Sequence, residues 1–481
     1  MVTNKAVSDM ATIPATRTEH DSLGDVPVPA DALYGAQTAR AVRNFPISGV
    51  RPHRVFIEST AMVKWASAMA NMAIGKVPPE KGDAIARAAR EIINGRHHEQ
   101  FVVDVFQAGA GTSHNMNANE VIANRANELL GGRRGEYAPI HPNDDVNMSQ
   151  STNDIFPTIT KVAALRMLPE FVAQLRSLEE AFGQKAAEFA DVVKSGRTHL
   201  QDAVPTTLGY EFGGYAAAMR HVRTRLEGTA HWAGDLNIGA TALGTGLNSG
   251  AGYRGEAVCF LKEITGLNDL RPAENLFEVT QSMASLGALS ADLRIVALEL
   301  IRIANDLRLM SSGPRTGLYE IALPAVQPGS SIMPGKVNPV LAEMLNMVCF
   351  QVVGNDTTVA LAVQAGQLDL NVMMPVIAFN LVWSLEILTN ALRVFTEQCV
   401  RGITANRERV REWVEWSTAI VTALNPRIGY SRAAKVAQQA FTEGRTVRDI
   451  LVSEGILTAE EAEHALDPAV LVQPGDPNTY T

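Results

Sequence analysis

Aromatic residues are scarce, at 6% of the 481-residue chain, while alanine, leucine and valine abound. Strands favour aromatic and β-branched side chains, so this balance excludes a β-sandwich and favours packed helices. Cysteine is nearly absent: Cys259, Cys349 and Cys399 stand far apart, with no CxxC pair. That excludes a disulfide scaffold and a zinc ribbon, and it favours a reducing, cytoplasmic location. No basic tract stands out and the formal net charge is −9, so no nucleic-acid partner is expected. The same charge would repel an anionic substrate, so any attraction for one must come from local groups in a pocket. The first residues, MVTNKAVSDMATIPATRTEHDSLG, hold no apolar run of signal-peptide length. The most apolar helical stretches are broken by charge, as in IVALELIRIANDL (295–307), and no membrane span is expected.

What is present is helical periodicity. Val162, Leu165, Leu168, Val172, Leu175, Leu178 and Phe182 recur at steps of three or four, as do Leu208, Phe212, Tyr215, Met219, Val222 and Leu226. A third series runs from Val279 through Met283, Leu286, Leu293, Val296, Leu300, Ile303 and Leu307 to Met310. This spacing predicts long amphipathic helices of roughly 30 residues with a bundle seam. Two more are expected over about 340–366 and 374–402. Five such helices, each about 45 Å long, make a rod with much exposed surface, which predicts that bundles pack side by side in an oligomer.

A chain of 481 residues exceeds one ordinary core. Three domains are read: a small mixed or helical one over 1–151, a five-helix bundle over 152–402, and a small helical domain over 403–481. Short helical patterns alternate with Gly/Pro/Asn-rich loops from about 56 to 150. Residues 1 to about 20 and the tail PGDPNTYT are read as loose.

Four segments concentrate small polar side chains where a core helix could not use them. Gly111-Thr112-Ser113-His114-Asn115 reads equally well as a turn bonding its own backbone. Ser149–Asp154, SQSTND, includes a helix N-cap, but a cap explains one residue and not five. A run of donors at a helix N-terminus is also an anion site. Gly196–Asp202, GRTHLQD, reads as an interhelical loop, and its histidine matters only if it faces the same cavity as the other segments. Gly329–Pro339, GSSIMPGKVNP, is not a P-loop: five residues separate its glycines and Val337 stands where a magnesium-binding hydroxyl belongs. GTGLNSG (244–250) is not a dinucleotide fingerprint either, since the third glycine is out of register. In GSSIMPGKVNP, Asn338-Pro339 reads as an N-cap with proline at the first helical position. Ser330, Ser331 and Lys336 then suit a mobile catalytic loop that closes to exclude water.

These segments together resemble the aspartase/fumarase superfamily. The likeness rests on GSSIMPGKVNP and on the ordered series AGTSHNMNANE (110–120), HPNDDVNMSQSTND (141–154), GRTHLQDAVP (196–205), GATALGTGLN (239–248) and SSGPRTGL (311–318). It covers nearly the whole chain, from about Asp21 to about 470. The resemblance implies a mainly α, three-domain fold with a central long-helix bundle, and a homotetramer whose active sites are each built by three subunits. It implies a small dicarboxylate substrate, from which an amine or hydroxyl group is eliminated, and no organic cofactor. No metal ligand set is read, and an activating divalent metal at a separate site is left open.

Elimination needs a base for a proton beside a carboxylate, donors for the aci-carboxylate that follows, and a cradle for the leaving group. By motif position the resemblance makes Ser330 the base, with Thr112, Ser151, Thr152 and Ser331 holding the carboxylate that gains charge. It places Thr198, Lys336 and Asn338 at the other carboxylate, and Asn153, Thr152 and His199 around the leaving group. Met333, on the Ser330 loop, is assigned to substrate binding. Ser113, Thr152, AGQLDLNVM (365–373), EHDSLGDVPVPADALYG (19–35) and GNDTT (354–358) resemble the amine-eliminating members. The expected reaction is reversible deamination of L-aspartate to fumarate and ammonia, with dehydration of L-malate as the alternative. Met374, where the amine-eliminating members carry Glu, and Asp145, where His is common, depart from the pattern. Asp145 bears on a secondary dicarboxylate site at His141, Asn143 and Asp144. A bundle kept for structure alone is the remaining class, and the presence of every loop residue the chemistry needs argues against it.

Overall fold

The computed structural model describes residues 15–467 and 471–472. The expected fraying of PGDPNTYT, and the loose segment up to residue 14, lie outside the described residues. From residue 15 the segment is ordered: β1 (Thr16–Asp21) pairs antiparallel with β2 (Gly24–Pro29). The Arg17 side chain donates to the carbonyls of Pro29, Ala32 and Tyr34, which is why so polar a stretch is not loose.

Helices α1 (Ala36–Asn44), α2 (Arg54–Ala73), α3 (Pro79–Ile93) and α4 (Thr112–Leu129) follow. Three of these four exceed the short helices the sequence suggested. Then come α5 (Thr152–Glu188), the hairpin β3 (Val193–Thr198) and β4 (Gln201–Thr207), and α6 (Leu208–Trp232). Beyond them lie β5 (Asp235–Leu236), α7 (Tyr253–Thr265), β6 (Arg271–Pro272), α8 (Leu276–Gln281) and α9 (Ala284–Met310). The chain continues through β7 (Ile321–Ala322), α10 (Val340–Gln364), α11 (Met374–Gln398), β8 (Thr404–Ala405) and α12 (Arg407–Trp416). Four short helices close it: α13 (Asn425–Ile428), α14 (Tyr430–Glu443), α15 (Val447–Ser453) and α16 (Ala459–Ala465). The fold is mainly α, and among the described residues the strands form two-stranded pairs, all antiparallel except β5–β6.

The five long helices are α5, α6, α9, α10 and α11, of 37, 25, 27, 25 and 25 residues. The periodic seams are buried, including Leu175, Leu178 and Phe182 of α5, Leu300, Ile303 and Leu307 of α9, and Leu385, Leu388 and Leu392 of α11. Pro157 and Pro169 fall inside α5. Because the helix begins at Thr152, Pro157 lies in its second turn, and each proline removes one N–H from the ladder. The seam read from Val279 is broken at Ser282, where α8 ends in an extended residue before α9 begins. Met374–Gly402 is long and apolar enough to cross a membrane by length and composition, but 56% of its apolar window is buried within the protein, as a bundle helix requires.

The chain forms two compact units. One comprises Met1–Pro169, Leu226–Leu293 and Gly354–Glu386. In it α2 is buried on nearly every side and packs against α3 and α7, with Trp65 edge-on to Phe260 and Arg90 over the Trp65 ring. Helix α4 is also buried yet rich in Asn, residues that disfavour helix interiors because they compete for backbone groups. Here they serve loops. Asn117 bonds Gln100 and Val102, Asn124 bonds Leu33 and Gly135, and Asn127 bonds both polar groups of Ile140. Glu120 accepts from Gly35, Gln37 and Thr38, closing the N-terminus of α1.

The second unit comprises Glu170–Arg225, Arg294–Val353 and Ile387–Thr481. Rings of Phe182, Phe189, Phe212 and Tyr215 meet edge-to-face where α5 and α6 pack. Its C-terminal helices enclose Val414, Leu424, Val436, Ile450 and Leu451. Capping boxes at Thr446 and Thr458 start α15 and α16.

Candidate active site

In the first unit, the N-termini of α4 and α5 are tied side chain to side chain. Ser151 caps α5: its hydroxyl accepts from Asn153 N while Asp154 returns to Ser151 N at 2.9 Å. Thr152, the first helical residue, is 9% exposed, and its oxygen accepts Asn115 Nδ2 at 3.1 Å. Its own proton has no acceptor among the described residues. Thr112 opens α4 and is exposed, whereas Ser113 is buried. Gly111 makes the approach possible, with φ +88° and a notional Cβ 2.1 Å from the Phe156 ring. Asn153 donates to the Ala242 carbonyl at 2.7 Å, so GATALGTGLN braces this helix end. Two helix N-termini meet here, with the Thr152 hydroxyl proton unclaimed among the described residues, which suits a carboxylate.

Beneath this surface lies a buried polar layer that sequence reasoning missed. Asp154 is fully buried and accepts from Gly239 N and Thr241 N at 3.0 and 2.9 Å. Burial pushes its carboxyl up to about 7, against the backbone bonds and the charge of Lys64. Lys64, fully buried in α2, donates to Asn147 and Gln150. Burial pulls its ammonium down to about 7, opposed by Asp154. The sequence signal was available: a lysine stands inside AMVKWASAMA, a stretch otherwise apolar except for Ser67.

In the second unit, GRTHLQDAVP is a β-hairpin and not the interhelical loop expected. His199 and Leu200 occupy its two-residue turn, at φ 55° and 59°, between paired Thr198 and Gln201. Such turns favour glycine and asparagine, so His-Leu gives no turn signal. Thr198 and His199 are exposed at the tip. The base of the hairpin is fixed by charge: fully buried Glu320 meets Lys194 at 2.8 Å and Arg197 at 2.5 Å. Lys194 also meets Glu211 at 2.9 Å, and burial raises the Glu211 carboxyl above its usual range.

The same unit carries the loop 329–339. Gly329 N donates to Lys336 O at 2.8 Å and Asn338 Nδ2 to Gly329 O at 2.6 Å, so the loop is closed at its neck. A Cβ at Gly329 would lie 2.6 Å from the Lys336 carbonyl, and Gly335 turns at φ +81°. Ser330 Oγ accepts from Ile332 N at 3.3 Å and Met333 N at 3.0 Å. Two N–H donors stabilise negative charge on that oxygen, as a serine acting as a base requires. Ser331, Met333 and Lys336 are exposed, and Asn338 gives one amide hydrogen to the neck. Ile332, an apolar residue on the loop, is 83% exposed.

Thus Thr112, Ser151, Thr152 and Asn153 group in one unit. Thr198 and His199 on the hairpin, and Ser330, Ser331, Met333, Lys336 and Asn338 on the loop, belong to the other. Of the departures, Met374 is buried at the start of α11. Asp145 pairs with Lys81 at 2.8 Å and accepts from His141 N, while His141 Nδ1 faces Asn143 N and Asp144 N. Among the described residues no group of three or more His, Cys, Asp or Glu is placed to hold a metal.

Known proteins carry the same architecture. A family model described as lyase matches residues 24–354, and one described as the fumarase C C-terminus matches 420–473. The chain is 50% identical to an aspartate ammonia-lyase of Bacillus sp., covering 95% of this chain and 98% of that one. It is 46% identical to a class II fumarate hydratase of Ralstonia nicotianae, covering 95% and 99%. A crystal structure described as fumarate lyase:delta crystallin from Brucella melitensis bound to cobalt superposes with a TM-score of 0.92 at 50% identity, covering 96% of this chain and all of that one. With the loop, the hairpin and both helix N-termini in place, the chain belongs to the aspartase/fumarase superfamily of lyases.

Proposed function

We propose that this chain catalyses the reversible deamination of L-aspartate to fumarate and ammonia. The observation that carries the reading is Ser330, whose hydroxyl oxygen takes two backbone N–H donors inside a loop closed at its neck. Ser330 removes a Cβ proton from aspartate, and the electron pair moves into the adjacent carboxylate as an aci-carboxylate. The Cα–N bond then breaks, the electrons form the double bond of fumarate, and ammonia leaves. Thr112, Ser151, Thr152 and Ser331 hold the carboxylate that gains charge, and Thr198, Lys336 and Asn338 hold the other. Asn153, Thr152 and His199 cradle the amine, and Met333 lines the substrate from the loop. No organic cofactor enters this scheme.

The reading further takes the protein as a cytoplasmic homotetramer, each active site assembled from three subunits. Exposed Met347, Phe350 and Leu361, at helical spacing along α10, support a lateral interface. The three unpaired cysteines fit a reducing compartment. The division at 1–151, 152–402 and 403–481 is kept as part of this reading. Dehydration of L-malate is the second reading, favoured by the identity to fumarate hydratases, at 46% and 48%. Aspartate ammonia-lyase names at 48% and 50%, with the local choices in QSTND and AGQLDLN, favour the first. A side-by-side assay decides: absorbance of fumarate should rise on adding L-aspartate, and a rise with L-malate alone would replace deamination by hydration chemistry.

A further inference from the structure

Lys64 is a buried cation whose only direct partners among the described residues are neutral amides. Its Nζ lies 3.1 Å from Asn147 Oδ1 and 2.8 Å from Gln150 Oε1. An ammonium can only donate, so both amides must turn their oxygens toward it, and the orientations of their neighbours follow. Gln150 Nε2 points back to the carbonyls of Val146 and Met148, at 2.9 and 3.0 Å. Asn147 Nδ2 points to Gln150 O at 3.2 Å. The Asn147 oxygen also receives Asn115 Nδ2 at 3.2 Å and Asn119 Nδ2 at 3.1 Å.

Asn115 therefore has one orientation: its amino group faces Asn147 and Thr152, and its second hydrogen goes to Thr152 Oγ1 at 3.1 Å. A hydroxyl that accepts in this way keeps its proton for another acceptor. Asn115 Oδ1, buried on a side chain that is 2% exposed, has no partner among the described residues. The amide is held against its own acceptor's interest, which is the mark of an orientation imposed from elsewhere.

We infer that Lys64 is a positioning residue for anion capture. Through Asn147 and Asn115 it sets the Thr152 hydroxyl as a donor, and it places a positive charge under the N-terminus of α5 where a substrate carboxylate binds. This rests on the reading of that helix end as a dicarboxylate site. It also supplies the local attraction that a chain of net charge −9 needs. Burial works against the Lys64 charge, and a cation kept at such a cost in place of an apolar side chain is explained by what it orients.

The test uses the full-length protein and succinate, a dicarboxylate that cannot react. Calorimetry gives its dissociation constant for the wild type, Lys64→Met and Asn115→Asp. The methionine keeps the volume and removes the charge. The aspartate keeps the shape but cannot donate, so Thr152 must turn its proton inward. Both variants should weaken succinate at least tenfold. Both should raise KM for the reactive substrate by a similar factor, with a smaller fall in kcat and a melting temperature within a few degrees of the wild type. A folded Lys64→Met that binds succinate as tightly as the wild type overturns the inference. Should that variant not fold, a folded Asn115→Asp with unchanged affinity overturns it equally. Absence of succinate binding by the wild type would instead remove the dicarboxylate site on which the inference rests.

Discussion

The backbone N–H of Met333 donates to the hydroxyl oxygen of Ser330 at 3.0 Å, and the N–H of Ile332 points to the same oxygen. The loop thus solvates its own serine as an alkoxide would need to be solvated, and among the described residues no histidine bonds that oxygen. Ser330→Ala removes the oxygen and leaves the neck bonds from Gly329 and Asn338 untouched. General-base catalysis contributes roughly 10²–10⁴-fold, so kcat for fumarate formation should fall about 10³-fold or more with the melting temperature unchanged. Activity within tenfold of the wild type would remove Ser330 from the role of base.

Lys336 is exposed on the same loop. A flexible, hydrated ammonium at that position attracts a dianion without taking part in proton transfer. Lys336→Ala should raise KM about ten- to a hundredfold and lower kcat far less, as expected when an interaction present in both ground and transition states is lost. The wild type's kcat/KM should fall with added salt more steeply than the variant's. An equal loss in kcat with unchanged KM would count against capture as its task.

The bundle was legible because its seams repeat at helical spacing over many turns, and the helices at 340–364 and 374–398 lie within a few residues of those expected. The hairpin at 193–207 was hidden. Its turn is His199-Leu200, and left-handed backbone at such residues is held by the surrounding structure and not by local preference. The polar run in α4 was conspicuous, but most of its asparagines turned out to anchor loops, and only its first turn faces the candidate site. Periodicity says which face of a helix is buried. It does not say which polar side chain on that face is satisfied by a neighbour's backbone, as Asp154 is, or by neighbouring side-chain amides, as Lys64 is, and both were lost for that reason.

Gly111 is the point where a missing side chain matters. At φ +88°, with the Phe156 ring 2.1 Å from a notional Cβ, alanine meets both backbone strain and overlap with a buried ring. Left-handed backbone costs a non-glycine residue about 1 kcal/mol and overpacking about 1–3 kcal/mol. Gly111→Ala should therefore destabilise by about 2–4 kcal/mol in urea unfolding and displace Thr112, lowering activity in whatever fraction stays folded. A midpoint equal to the wild type's would mean that α4 starts differently.

His114 makes the acid limb of stability testable. Burial, helped by the nearby Lys64 charge, holds its imidazole down to about 3, from an ordinary value of 6.5. Between those values the unfolded chain binds a proton that the folded chain refuses. Stability then falls as pH falls from about 6.5 toward 3, by up to about 1.4 kcal/mol per pH unit. Asp154, raised to about 7, acts with the opposite sign and loses stability as pH rises from 3.8. Both proteins carry Asp154, so it cancels in the comparison. His114→Gln can still donate to Thr60, which the imidazole meets at 2.8 Å, and its unfolding free energy should decline less steeply than the wild type's between pH 6 and 4. Parallel curves would mean that His114 is protonated in the folded protein.

Glu320 is the residue on which the hairpin's orientation turns. Its carboxylate is fully buried between Lys194 and Arg197, and its carbonyl accepts from Asn406 N at 2.9 Å beside the β7–β8 pair. Glu320→Gln keeps the shape but leaves Lys194 with Glu211 and Arg197 with no carboxylate partner among the described residues. Removing one partner of a buried ion pair costs about 3–5 kcal/mol because the other charge stays uncompensated. The loss falls on β3, the strand that ends at Thr198, so the tip carrying His199 should lose its alignment before the C-terminal helices unfold. The expected result is a kcat/KM at least tenfold lower at temperatures where circular dichroism still reports native helix, together with an unfolding midpoint shifted to lower urea. If activity and helix content decline along one curve, Glu320 holds the fold as a whole and not the hairpin.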